Sequence, residues 1–135
     1  MTPMHIRKVQ PQEIEAVREF LATHGWAHRV GSADEFADLL AHSQRAVVAV
    51  ADDAIVGFAR AITDGRSNGY LSMVVVAPAF RRRGVGRALV QNIIGDDPRI
   101  TWVLRAGRDG AEAFFSKLGF RVSTVAMERP RIEPE

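Results

Sequence analysis

Apolar residues recur along the chain at two spacings, and the changes between them mark out its elements. Residues 4–9 alternate weakly and predict a short first strand. Ile14, Val17, Phe20 and Leu21 then fall at intervals of three and four, the spacing of a helix face, with Pro11 near the start where a missing amide hydrogen costs no bond. A second helix is predicted over Ala33–Ala41. Ser32 is placed to cap it, Glu35 to complete a capping box, and Phe36, Leu39 and Leu40 to face a core. Ala46–Ala51 and Ile55–Ile62 are rich in strand formers and separated by Asp52, Asp53 and Ala54, which predicts an antiparallel hairpin. After the polar turn Gly65–Gly69, the run Tyr70–Val76 (YLSMVVV) is too continuously apolar for a strand with one wet face. It belongs in the middle of a sheet covered on both sides, and Pro78 stops it.

Helical spacing returns with Val85, Ala88, Leu89, Asn92 and Ile93, ended by Gly95 and Pro98. A fifth strand is expected near Thr101–Arg105. Asp109 and Glu112 have capping-box spacing ahead of a helix carrying Ala113, Phe114 and Leu118, which Gly119 ends. Phe120–Met127 alternates again and predicts one or two short strands. The order is mixed α+β, with no repeated βαβ unit.

With 135 residues, 47% hydrophobic and 25% charged, the chain reads as one globular domain over residues 1–135 with a core from about 6 to 127. A chain of that length buries roughly two thirds of its unfolded surface, enough to fold without staples. It contains no cysteine, which excludes a disulfide scaffold, a thiolate metal cluster and a cysteine nucleophile. Met1–Lys8 leads into no hydrophobic leader, and no run approaches the roughly 20 apolar residues of a spanning helix, so a soluble, cytoplasmic protein with no membrane partner is expected. Pro130–Glu135 is polar and is expected to fray.

The formal net charge is only +2, but it is unevenly placed. Residues 65–95 hold Arg66, Arg81, Arg82, Arg83 and Arg87 and no carboxylate, while the rest of the chain carries 16 acidic against 13 basic side chains. A nucleic-acid domain spreads its cations along a face with aromatic residues between them. Here they cluster beside two glycines, so no nucleic acid is expected as a partner.

That cluster, Arg81-Arg82-Arg83-Gly84-Val85-Gly86-Arg87, lies between a predicted buried strand and a predicted helix. Glycines let backbone approach a ligand closely, the unpaired amides of a helix start point at anionic oxygens, and arginines add charge-assisted hydrogen bonds. The spacing matches neither the dinucleotide G-x-G-x-x-G nor the phosphate-loop motif, so a phosphorylated ligand held in another way is implied. On the residues alone, a glycine turn beside a solvated arginine run remains the competing reading. His24, Trp26 and His28 form a second polar-aromatic group between the first two predicted helices, without the carboxylates a metal site would need, and no metal is expected.

The stretch VVVAPAFRRRGVGRALV resembles the acetyl-coenzyme A signature of the GNAT superfamily of N-acetyltransferases, R/Q-x-x-G-x-G/A after the fourth strand, and AFFSKLGF resembles its second conserved region. The resemblance runs from about Ile6 to Met127. It implies a mostly antiparallel sheet splayed between strands 4 and 5 and flanked by helices, with acetyl-CoA as cosubstrate. The backbone of Val74, Val75 and Val76 would pair with the pantetheine arm. Arg81 stands at the usual Arg/Gln position, and the loop Arg82, Arg83, Gly84, Val85, Gly86 and Arg87 would hold the pyrophosphate.

The reaction the resemblance implies is direct transfer of an acetyl group to a primary amine in a ternary complex, the acceptor expected to be a small molecule. A peptide or protein N-terminal amine is the alternative, as is an acyl-CoA-binding module without catalysis. A fourth-strand amide would stabilise the oxyanion, with the thioester near Met73 and Val74. At the position where relatives often carry a tyrosine beside the coenzyme A sulfur stands Phe115, which has no proton to give. Arg108 replaces a common asparagine, Val103 a glutamate found in some relatives, and Arg105 matches a frequent basic residue. The remaining candidates for proton transfer and acceptor contact are Tyr70, the sole tyrosine, His28 and Arg108, with Ser72 and Asp64 as further polar groups. A homodimer through an edge strand or helix face is compatible with this layout.

Overall fold

The computed structural model describes residues 3–133, which form two compact units divided between Arg105 and Ala106. The first unit is built on a five-stranded sheet in the order β1-β2-β3-β4-β5, formed by Met4–Lys8, Arg45–Ala51, Ala54–Thr63, Asn68–Val76 and Thr101–Val103. The first four strands pair antiparallel and β4 pairs β5 parallel, so the chain is mixed α/β with a mostly antiparallel sheet. The helices of this unit are α1 (Ile14–Leu21), the single turn α2 (Ala27–Val30), α3 (Ala33–Ala41) and α4 (Val85–Ile94). No helix among the described residues is long and apolar enough to cross a membrane.

One face of the sheet packs on α1 and α3 through Val17, Leu21, Phe36, Val48, Phe58, Met73 and Val75, joined by Val30 of α2. The other face receives α4, whose Val85, Leu89, Val90 and Ile93 are buried. Gly57 lets α4 come this close: a β-carbon there would stand 2.9 Å from Leu89 Cδ1. Burial on both faces is what the continuous apolar run of β4 demanded.

Local chemistry sets the ends. Ser32 and Glu35 form the expected box before α3, the Ser32 hydroxyl accepting from the Glu35 amide at 3.2 Å and the Glu35 carboxylate accepting from the Ser32 amide at 2.9 Å. The β2–β3 turn is tighter than expected, with Asp52 and Asp53 both left-handed at φ 51° and 62°. Two such residues make the turn whose twist matches a hairpin, usually with glycine second. Asp53→Gly is therefore expected to raise stability by about 1 kcal/mol, read as a higher denaturant midpoint at unchanged m-value.

Between α1 and α2 the helix breaks at His24 (φ −115°) and Gly25 (φ 94°) across a wide turn, Ala22–Trp26. Of the two histidines expected in the connection, His24 lies in it and His28 lies in the α2 turn that follows. The fifth strand is shorter than expected, ending at Val103 rather than Arg105, because only Asn68–Tyr70 of β4 offers it a partner. That short pairing is locked by Gly69. A β-carbon on it would stand 2.3–2.7 Å from three atoms of the Trp102 ring, and the Arg45 guanidinium lies 5.5 Å from that ring's centroid. Because the indole is rigid, Gly69→Ala should cost about 1–3 kcal/mol, measured by thermal unfolding. A melting temperature unchanged from wild type would show that Trp102 is free to swing away.

The second unit contains one helix, α5 (Ala111–Ser116). Its cap is Gly110 at φ 80° with no side-chain hydrogen bond, so the expected Asp109 box does not form. Gly119 does end the helix. At φ 95° it lets its own amide donate to Ser116 and that of Phe120 to Phe115, the paired bonds of a left-handed helix stop. Phe115 lies between Phe114 and Phe120, with centroids 4.9 and 5.7 Å away. The strands expected over Phe120–Met127 are not formed. Val122, Val125 and Met127 are exposed, since alternation prepares a strand but only a neighbouring edge makes one.

Candidate active site

β4 changes character along its length. Asn68–Tyr70 pairs with β5, and beyond Tyr70 no strand among the described residues pairs with the outer edge of β4, so the sheet opens between β4 and β5. The inner edge slips at the same place. Phe58 faces Val75 and Arg60 faces Ser72, leaving Ala59 opposite both Met73 and Val74. Met73 absorbs this bulge in the left-handed region, φ 55°, although it is not glycine. Such strain survives only where packing holds it, and the Met73 side chain is buried in the α1–α3 core.

Strand alternation then fixes which backbone groups face the opening. The Ala77 amide donates inward to the Val56 carbonyl at 2.8 Å, so Val75 also faces β3 while Val74 and Val76 face out. Arg81 Nε donates to the Val76 carbonyl at 3.2 Å. Of the three valines the sequence offered, Val75 gives its backbone to the sheet and its side chain to the core. Val74 is the one whose amide is turned to the cleft at the bulge.

Past the 3-10 turn Pro78–Phe80 the chain reaches the glycine loop. Arg82 is left-handed at φ 64°, and Gly84, at φ 79°, caps α4. The amides of Val85, Gly86 and Arg87 occupy the first turn, where no helix carbonyl precedes them. Val85 contributes its backbone there while its side chain is 3% exposed and anchors the helix. Arg81, Arg82, Arg83 and Arg87 are exposed and make no ion pair among the described residues; Arg83 lies over the Phe80 ring. Open first-turn amides with four uncompensated guanidinium groups fit a polyanionic ligand such as a pyrophosphate.

A matching family model covers residues 42–122 and describes an acetyltransferase (GNAT) domain. The chain belongs to the GNAT family. It is 28% identical over 131 residues to the peptidyl-lysine N-acetyltransferase YiaC of Escherichia coli (strain K12), covering 91% of this chain and 87% of that protein. It is 30% identical over 123 residues to the mycothiol acetyltransferase of Nocardia farcinica (strain IFM 10152), covering 87% of this chain and 40% of the longer relative. Its fold matches that of the aminoglycoside N-acetyltransferase AAC(6')-Iy in complex with CoA at a TM-score of 0.72 and 22% identity, over 98% of this chain and 97% of the other. As a GNAT protein the chain is an acetyl-CoA-dependent acetyltransferase.

The remaining residues named from the sequence are less closely grouped. Tyr70 and Ser72 lie on the same face of β4, half-buried, at the closed end of the opening. His28 is exposed and stacks on Trp26 with ring centroids 6.3 Å apart at 8°. His24 is instead used locally, its Nδ1 2.6 Å from the Phe20 carbonyl. Asp64 is a turn staple: amides of Arg66, Ser67 and Asn68 and the Ser67 hydroxyl donate to its carboxylate, which holds its pKa well below the usual range. Arg108 and Phe115 belong to the second unit, Arg108 exposed and Phe115 half-buried. A groove of about 570 Å³ lined by Lys8, Gln10, Leu40, Arg45 and Asn92 involves the opposite end of α4 from the glycine loop.

Two features escaped the sequence. Met73 carries no mark of its left-handed backbone, because methionine is an ordinary strand residue. Arg60, 6% exposed, does leave a trace: it is the one charge inside AIVGFARAIT and alternates with Phe58, which puts it on a core-facing position.

Proposed function

We propose that the chain transfers the acetyl group of acetyl-CoA to the primary amine of a small molecule, by direct attack within a ternary complex and with both units forming one N-acetyltransferase domain. The observation that carries this is the outward-facing Val74 amide at a strained bulge, beside a strand edge left open and a cationic loop at its end. In this reading the loop from Arg82 to Arg87 takes the pyrophosphate. Arg81 braces the end of β4, and the outer backbone edge of Val74 and Val76 takes the pantetheine arm.

The neutral amine nitrogen attacks the thioester carbonyl carbon while the Val74 amide donates to the developing oxyanion. The C–S bond then breaks, the ammonium proton leaves the nitrogen, and the thiolate takes up a proton. Tyr70, whose phenol is on the cleft-side strand, is assigned the proton delivered to sulfur, since Phe115 has none to give. His28, exposed on α2, is assigned the proton taken from the amine, and Arg108 an acceptor contact.

The likeness to a peptidyl-lysine acetyltransferase favours a second reading in which the amine belongs to a peptide. A panel of small amines run beside a panel of lysine and N-terminal peptides, with released coenzyme A thiol as the readout, separates the two. Turnover confined to the peptides would replace the small-molecule reading.

A further inference from the structure

Arg60 is a buried cation whose charge the fold leaves without an ion pair among the described residues. It lies on β3 directly opposite Ser72, one residue from the Met73 bulge, and on the α1–α3 face of the sheet that also carries Tyr70. At 6% exposure its charge has lost most of its water, and burial lowers the pKa of the guanidinium, partly offset by attraction to the Tyr70 oxygen. A guanidinium remains charged even so, and burying one without an anionic partner is unfavourable.

No such partner is present among the described residues. Among the described residues Arg60 makes one side-chain hydrogen bond, Nε donating to the Ser43 hydroxyl at 2.9 Å, and no ion pair. The nearby C-terminus of α3 does not serve either. The Asp38 and Leu39 carbonyls accept from the His42 amide, Leu39 also from the Ser43 hydroxyl, and Leu40 from the Ser43 amide. The two terminal nitrogens of Arg60 are not among the fully enclosed side-chain atoms that lack a hydrogen bond, so they keep some contact with solvent. A guanidinium that is 6% exposed and whose terminal N–H groups meet no acceptor among the described residues is suited to bind an oxyanion through two parallel hydrogen bonds.

We propose that Arg60 is the receptor for an anionic group on the acceptor, so that the amine acetylated by this chain carries a carboxylate or a phosphate. The proposal rests on the acetyl-transfer reading for the position of the amine beside Val74. The guanidinium then sets which amines bind and leaves the chemistry at the thioester alone, as a specificity residue on the strand next to the bulge.

Calorimetric titration of the full chain, with and without coenzyme A, should use three product-like probes: N-acetylglycine, the phosphate ester of N-acetylethanolamine, and neutral N-acetylethanolamine. One of the anions should bind about ten- to a hundredfold tighter than the neutral probe, and which one identifies the oxyanion. Arg60→Met should abolish that preference, and Arg60→Lys should keep part of it, because an ammonium supplies charge without the fork. Equal binding of all three probes by wild type, or a preference that survives in a folded Arg60→Met, overturns the proposal. If Arg60→Met does not fold, the wild-type comparison and Arg60→Lys decide it. Failure of the acetyl-transfer reading shows separately, as no thiol release from acetyl-CoA across the amine panels, while the anion preference is still read by calorimetry.

Discussion

Met73→Val is expected to lower kcat about a hundredfold while leaving KM for acetyl-CoA close to wild type. The reason is conformational. Met73 sits at φ 55°, and that turn is what rotates the next amide, Val74, out of the ladder and toward the opening. A β-branched residue is the least tolerant of left-handed backbone, so valine should pull the strand back toward regular pairing and misdirect the oxyanion donor. Losing one such donor typically costs about 10²–10³ in kcat.

Met73→Gly makes the test discriminating. Glycine accepts the positive φ but empties a buried side chain from the α1–α3 core, so it should be the less stable variant and the more active one. Steady-state kinetics and thermal unfolding on both proteins measure the two orders. If activity follows stability instead, with valine above glycine on both, the bulge is a packing feature and another group stabilises the oxyanion.

Replacing Arg82, Arg83 and Arg87 together by glutamine should raise KM for acetyl-CoA about a hundredfold with kcat little changed. Each of these groups is exposed and makes no ion pair among the described residues, with Arg83 lying over the Phe80 ring, and each lies at or before the first turn of α4. Charge-assisted hydrogen bonds to phosphate contribute equally before and during acetyl transfer, and such uniform binding appears in KM rather than kcat. The wild-type KM should also climb steeply with salt, because exposed charges are screened over roughly 8–10 Å at physiological ionic strength. In the triple variant that slope should flatten. Arg81 is left in place because its bond to Val76 shapes the strand end. A KM unmoved by the substitutions would assign the loop to some other anion.

Much of this arrangement was legible in advance because it depends on near neighbours in the chain. The Ser32–Glu35 box, the stop at Gly119 and the glycine start of α4 are formed by residues within one or two turns of each other, and those signals held. Two other signals did not. Asp109 had the spacing of a cap, yet the helix begins one residue later on Gly110, and Phe120–Met127 had the alternation of a strand but found no edge to pair with. Val74, Val75 and Val76 read as three equivalent valines until the Ala77–Val56 bond set the phase of the strand and separated them.

By itself, then, the sequence determined the order of strands and helices and pointed to a ligand class: periodicity sorts strands from helices, and a carboxylate-free arginine block beside glycines suits an anion while leaving a solvated arginine run as the competing reading. Only the tertiary structure decided where β4 parts from β5, which amide faces the gap, and that Arg60 is buried with no countercharge among the described residues. Those are properties of pairs of strands, set by a bulge register and by the Trp102 ring lying against Gly69. No residue type announces them, because hydrogen-bond phase and burial exist only once a second strand is in place.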